Sequence, residues 1–233
     1  MGVSAEHLVD PDGLDKPPTL RAHAEGVLRE SLLSGRLAPG DRVNEVVMAG
    51  AIGVSRGIIR EALRGLEQEG LVVSRPHRGV FVRKLTPDEA LEMSEVRMAL
   101  EIVAARRIVA GGRVDAVRDA LEERYAELER VVGEPFAVRL RMDLAFHEAI
   151  CEASGNGPLL QMWRSLVATV TSMLLTVGPA DAALLLDPAA HRPLLEVIEA
   201  GDETLIEPVW REHFASGLTY ILMRLPGAEP GRA

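Results

Sequence analysis

The sequence predicts a mainly α-helical chain in two unlike parts: a small N-terminal helix-turn-helix unit closed by a β-hairpin, and a C-terminal antiparallel bundle of six or seven helices. Three observations carry this. Residues 39–83 fit a short helix, a turn, an arginine-studded helix and two short apolar runs into less than a fifth of the chain. From residue 86 onward, apolar residues recur at helical spacing in long stretches separated by glycine and proline. The composition is 47% hydrophobic but only 3% aromatic, which suits helix packing by Leu, Ile, Val and Ala. At 233 residues the chain exceeds the usual size of one domain. The expected division is a flexible tail over 1–18, the small domain over 19–84, the bundle over 85–226 and a tail over 227–233.

Thr19–Ser34 reads as the first helix, ended by Gly35 and the Pro39-Gly40 turn. The next helix, around Val47, Met48, Ala49 and Gly50, is expected to be short, because glycine costs about 1 kcal/mol relative to alanine in a helix. Gly53 and Val54 allow a tight bend, and Ser55 caps the following helix, whose apolar stripe is Ile59, Ala62, Leu63 and Leu66. Leu71–Ser74 and Val80–Arg83 read as strands joined by Arg75, Pro76, His77, Arg78 and Gly79. Thr86-Pro87-Asp88-Glu89 is a capping box with proline in the first turn, opening a helix to about Ala110. Helices then follow over Val114–Val132, Phe136–Ala153, Leu159–Val177, about Ala189 to Ala200, and about Glu203 to Leu225.

The first part has the layout of a winged helix that reads DNA. Arg56, Arg60 and Arg64 stand at i, i+4 and i+8, off the apolar stripe, and arginine forks grip phosphates or pair bidentately with guanine. Gly57 lets backbone N–H groups at the helix start approach a phosphate. The wing carries His77, Arg78 and Gly79 toward a minor groove. The candidate DNA contacts are Arg42, Ser55, Arg56, Gly57, Arg60, His77, Arg78 and Gly79. The overall charge of −9 divides accordingly: residues 19–84 hold 11 Lys and Arg against 7 Asp and Glu, whereas residues 85–233 hold 14 against 24. The basic part faces double-stranded DNA and the acidic part is repelled by it.

In the Phe136–Ala153 helix, the inward stripe of Phe136, Leu140, Asp143, His147 and Ile150 contains two ionisable residues. A buried carboxylate needs a partner or a metal. His213 shares an inward face with Ile206, Val209, Trp210, Gly217 and Tyr220, and His191 shares one with Leu195 and Ile198. Imidazoles with a carboxylate are the donors that zinc, nickel or manganese accept, though an Asp-x-x-x-His pair also occurs as a plain hydrogen-bonded pair. Cys151, the single cysteine, reads as a buried hydrophobe and suits a reducing compartment. Neither a signal peptide nor a spanning helix is evident: the most apolar stretch, Met173–Leu186, is broken by Gly178, Pro179 and Asp181. A cytoplasmic protein is expected.

The segment GVSRGIIREALRGLEQEGLV, followed by RPHRGVFV, resembles the DNA-binding half of GntR-type transcriptional regulators. Residues from about Thr86 to Leu225 resemble the all-helical FCD ligand-sensing domain of the FadR-like branch. The resemblance implies operator contacts at Ser55, Arg56, Gly57, Arg60 and the wing tip, a homodimer, and a non-enzymatic role. It also implies a divalent metal ion, zinc before nickel or manganese, held by Asp143, His147, His191 and His213, the last two 22 residues apart as in the family. Three departures stand out: Val47, Met48, Ala49 and Gly50 stand where family members usually carry a Leu-Ala step, Pro193 requires His191 to lie in or before a first turn, and Pro208 should kink the last helix.

An open coordination position suggests a small carboxylate effector. Arg97, in the EVRMALE stretch, can pair with that carboxylate or form a helix salt bridge with Glu101. Asn156, in the SGN turn, can line the pocket or simply shape the turn. The expected function is a metal- and effector-responsive repressor released from its operator by a small organic acid, with no membrane partner. Two other readings share the residues: a metal-dependent hydrolase, and a DNA binder with a purely structural metal.

Overall fold

The structure is a computed structural model describing residues 19–178 and 185–225; both predicted tails lie outside these. The chain begins with α1 (Leu20–Leu33), whose N-cap Thr19 accepts from the Ala22 N–H. After β1 (Arg42–Val43), Asn44 caps α2 (Glu45–Ile52), and Ser55 caps α3 (Arg56–Gln68) by accepting from the Ile58 N–H at 3.3 Å. Gly53 turns the chain between the two helices at φ +77°, a conformation that costs other residues a steric clash. Ile59, Ala62, Leu63 and Leu66 are all buried, as the helical spacing predicts.

The wing is β2 (Val72–Arg75) and β3 (Gly79–Val82), antiparallel with Arg75 opposite Gly79. Each predicted strand is thus displaced by one residue. The reversal needs only Pro76, His77 and Arg78, because His77 takes up a left-handed φ of +59°, so Arg75 and Gly79 join the ladder. The sheet also has a third strand that the sequence does not announce: β1 pairs with β3, Arg42 opposite Phe81, in the order β1-β3-β2. Two residues are too few for alternation to register.

Six α-helices follow among the described residues: α4 (Pro87–Ala110), α5 (Val114–Arg130), α6 (Phe136–Ala153), α7 (Gly157–Val177), α8 (Arg192–Ala200) and α9 (Glu203–Leu222). The capping box is reciprocal, with the Glu89 N–H donating to Thr86 Oγ1 at 3.2 Å and the Thr86 N–H to Glu89 Oε2 at 2.8 Å. The predicted helix over 189–200 is divided into a 3-10 turn, Pro188–Ala190, and α8. His191 is therefore the N-cap of α8 rather than a member of its apolar face. Pro193 explains this, since it has no N–H to donate and fits only a first turn. α9 runs continuously through Pro208.

Two apolar clusters hold the chain together. One fills the bundle around Ile108, Leu121, Phe146, Ile150 and Leu194. The other begins in the winged helix at Leu28, Leu32, Ile59, Leu66 and Leu71, and runs on to Leu140, Val170, Met173, Leu174 and Leu175 of α6 and α7. A hydrogen bond crosses the same seam, Ser172 Oγ donating to the Gly70 carbonyl at 3.4 Å. No helix among the described residues is long and apolar enough to cross a membrane. Leu140, 2% exposed at the seam, allows a direct check: Leu140→Ala should lower stability by about 2 to 5 kcal/mol, read as a lower midpoint of urea unfolding.

Candidate functional site

The eight candidate DNA contacts, Arg42, Ser55, Arg56, Gly57, Arg60, His77, Arg78 and Gly79, are all exposed on the winged helix. The Arg42 guanidinium lies against Gly79, joining β1 to the wing tip, and Arg75 stacks over the Phe81 ring at 4.8 Å. The three arginines of α3 are not equivalent. Arg60 donates through Nε to Glu45 Oε2 at 2.7 Å, the same oxygen lies 3.9 Å from Arg56 Nη2, and Arg64 turns back to Glu61 on its own helix. Glu45, from the start of α2, is a partner that spacing along α3 cannot reveal. These exposed pairs are weak in water, so a phosphate or guanine can replace the carboxylate at small cost.

In the bundle, α6 carries buried Asp143 and His147 one turn apart, α8 begins at buried His191, and α9 supplies half-buried His213. The three rings converge with centroids 4.9 to 5.3 Å apart. Each is fixed by the same device. His147 Nδ1 lies 2.8 Å from Glu101 Oε2, His191 Nδ1 2.9 Å from the Asp187 carbonyl, and His213 Nδ1 3.0 Å from the Ala190 carbonyl. These oxygens can only accept, so every Nδ1 carries the proton; Nε2 of His147 and His213 is left to a ligand, while Nε2 of His191 is engaged by Asp143. One ligand atom from each ring lies within 4.8 Å of the others. Asp143 joins through His191, its Oδ1 2.8 Å from Nε2.

The electrostatics suit a cation. Burial, then the neighbouring His147 and His191 rings, lowers the His213 pKa to about 3, keeping that imidazole neutral. Burial likewise pushes His147 down against the pull of Glu101. Desolvation acts against His191 too, but the hydrogen bond and charge of Asp143 outweigh it and raise its pKa. Burial also opposes ionisation of Asp143, and the hydrogen bond from His191 overcomes that cost, holding the carboxyl well below its ordinary range. Imidazoles whose second nitrogen donates to a carboxylate or carbonyl are the usual metal-ligand arrangement.

Glu101 supports this site. It is fully buried, and its two oxygens take four donors: Arg97 Nε at 2.9 Å, His147 Nδ1 at 2.8 Å, Trp163 Nε1 at 3.0 Å and Trp210 Nε1 at 3.2 Å. Burial alone would raise its pKa, but the His147 ring and Arg97 guanidinium outweigh that and lower it. The Arg97–Glu101 spacing suggested an ordinary helix salt bridge; both partners are instead buried. The missed signal is that 94, 97, 101, 104 and 108 form the inward stripe of α4. Arg97 has a buried Nη2 with no hydrogen-bond partner, and it lines a cavity of about 240 Å³ shared with Asp143 and the three histidines.

Asn156 is not brought to this cavity. Its Oδ1 accepts from the Leu159 N–H at 3.3 Å as the N-cap of α7, so local backbone capping uses the side chain that the sequence offered to an effector. Cys151 is fully buried, and burial pushes its thiol pKa up, as an inert hydrophobe requires. Glu101→Gln keeps the shape but removes the charge facing Arg97. It should destabilise the fold by about 3 kcal/mol, measured by urea unfolding followed by circular dichroism.

Comparison with known proteins agrees with both halves. The model of the bacterial regulatory proteins of the gntR family matches residues 20–82, and the FCD domain model matches residues 92–216. A protein of Paenarthrobacter nicotinovorans named as a probable D-xylose utilization operon transcriptional repressor is 32% identical over 205 residues, covering 86% of this chain and 88% of that one. The Nta operon transcriptional regulator of Aminobacter aminovorans is 33% identical over 137 residues, covering 58% and 63%. Among solved structures, a GntR transcriptional regulator from Rhodococcus sp. RHA1 has TM-score 0.66 at 23% identity, covering 88% of this chain and 99% of that chain. McbR/YncC of E. coli gives 0.66 at 20%, covering 89% and 99%. These last two speak for the fold alone. The matches set aside the hydrolase reading, because the family consists of transcriptional regulators. The chain belongs to the GntR family of DNA-binding transcriptional regulators, in the branch that carries an FCD domain.

Proposed function

We propose that this regulator is a cytoplasmic, homodimeric repressor whose hold on a pseudo-palindromic operator is set by a divalent metal ion and a small carboxylic acid in the bundle. The division of labour falls at Thr86, with residues 19–84 reading DNA and 85–226 sensing the effector. One observation supports the reading: a ring nitrogen from each of three imidazoles lies within 4.8 Å of the others, and Arg97, whose Nη2 is unpartnered, lines the same cavity.

The donor set fits a cation. His147, His191 and His213 would hold it with Asp143, and the second nitrogen of each ring is already engaged, so little reorganisation is needed. Zinc suits these donors, with nickel and manganese as alternatives. The bound ion would supply a positive centre at which an acid's carboxylate binds. Arg97 adds a second positive group, held in place by Glu101 and by the Phe214 ring 5.1 Å below it.

Transmission to the reader has a physical route. Met173, Leu174, Leu186 and Ile221 line the cavity and also belong to the apolar cluster that includes Leu28, Leu66 and Leu71 of the winged helix. An acid that binds one arrangement of these walls better than another shifts DNA affinity by that difference and no more. On DNA, Arg56 and Arg60 exchange Glu45 for phosphate or guanine, while Arg42, His77, Arg78 and Gly79 present the wing. Ser55 and Gly57 shape the helix start.

Two experiments test this. On an operator selected from a random duplex pool, Arg56→Ala or Arg60→Ala should weaken binding by about 1 to 3 kcal/mol in a gel shift. Full retention would remove these residues from the interface. The purified chain should carry close to one metal ion per protomer by elemental analysis, and His147→Ala or His213→Ala should abolish it. Undiminished metal in both variants would sink the proposed ligand set.

A further inference from the structure

The cavity beside the histidines joins polar groups, Arg97, Asp143 and the three imidazoles, to apolar side chains. Arg97 is the one Lys or Arg among its described lining residues, and its side chain is 9% exposed. Its Nη2 is the one buried side-chain nitrogen or oxygen among the described residues without a hydrogen-bond partner. Apart from these polar groups the walls are mostly apolar, with Met173, Leu174, Leu186, Leu218 and Ile221 among them. Three lining residues carry a hydroxyl: Ser94 Oγ donates to the Ala90 carbonyl at 2.9 Å, Ser216 Oγ donates to the His213 carbonyl at 3.0 Å, and Tyr220 is the third.

Such a container discriminates among acids. A polyhydroxylated body would bury hydroxyls against methyl groups, and each unpartnered one lowers affinity by about tenfold. With one carboxylate shared between the metal ion and Arg97, a second would find no further Lys or Arg among the described lining residues. Each methylene laid on the apolar side instead raises affinity by about fourfold. The volume of about 240 Å³ also sets a size, since an apolar cavity of about 150 Å³ accepts benzene.

We infer that the effector is a monocarboxylic acid with a single apolar body, an aromatic ring or a short alkyl chain, seated with its carboxylate at Arg97 and its body between α7 and α9. This rests on the effector-site reading above and narrows it. The same walls rank sugar acids and dicarboxylates below it.

Isothermal titration calorimetry on the full-length chain, supplied with one equivalent of zinc, tests this with benzoate, hexanoate, gluconate and succinate. Benzoate or hexanoate should bind at least tenfold more tightly than gluconate or succinate. Arg97→Gln should weaken benzoate by tenfold or more. Gly217→Leu provides an independent check. A Cβ at Gly217 meets nothing closer than Leu185 Cδ2 at 4.0 Å, so the longer side chain enters the cavity from within a helix that tolerates it. This variant should retain zinc and fold normally while losing benzoate.

If gluconate or succinate binds best and Gly217→Leu blocks it, the apolar-body inference falls while the effector site stands. If benzoate binds equally well to Gly217→Leu, the acid lies elsewhere and the inference falls. If none of the four acids binds to zinc-loaded protein, inference and effector reading fall together.

Discussion

The fully buried carboxylate of Glu101 is the constraint around which the bundle is organised. Charge in a protein interior is costly unless it is matched by hydrogen bonds and opposite charge. Here four donors from four helices converge on two oxygens: Arg97 from α4, His147 from α6, Trp163 from α7 and Trp210 from α9. Removing any one donor weakens the others, because a partly satisfied buried network is worse than none. This polar knot fixes helix positions in a way that interchangeable leucines cannot. It also decides which nitrogen of His147 carries a proton, and so which one faces the cavity.

Much of the winged helix was legible because its signals are local. Ser55 and Thr86 announce helix starts through hydroxyls at fixed distances from backbone N–H groups, and Pro193 limits where α8 can begin. The histidine cluster was legible for a different reason: an ionisable residue in an apolar stripe is an anomaly that three-four spacing exposes. Glu101 occupies such a stripe too, but an arginine four residues earlier offered an adequate surface explanation. Only the long-range packing of Trp163 and Trp210 shows that the pair is interior. β1, Glu45 opposite Arg60, and the capping role of Asn156 depend on contacts or geometry with no periodic trace.

The boundary between the two halves is clear in charge and motif, but the packing crosses it. The apolar cluster runs from α1 and α3 into α6 and α7, and the same side chains reach one wall of the cavity. Close-packed interiors do not absorb volume changes locally; they rearrange or resist. An acidic bundle and a basic winged helix are thus joined by a neutral, apolar seam.

The only two tryptophans in the chain, Trp163 and Trp210, both donate to Glu101. Nearly all of the protein's near-ultraviolet emission therefore originates beside one carboxylate and one hydrogen bond from a histidine of the cluster. The molecule has an optical probe built into its interior, and whatever alters the charge held there will be written into its fluorescence without any label.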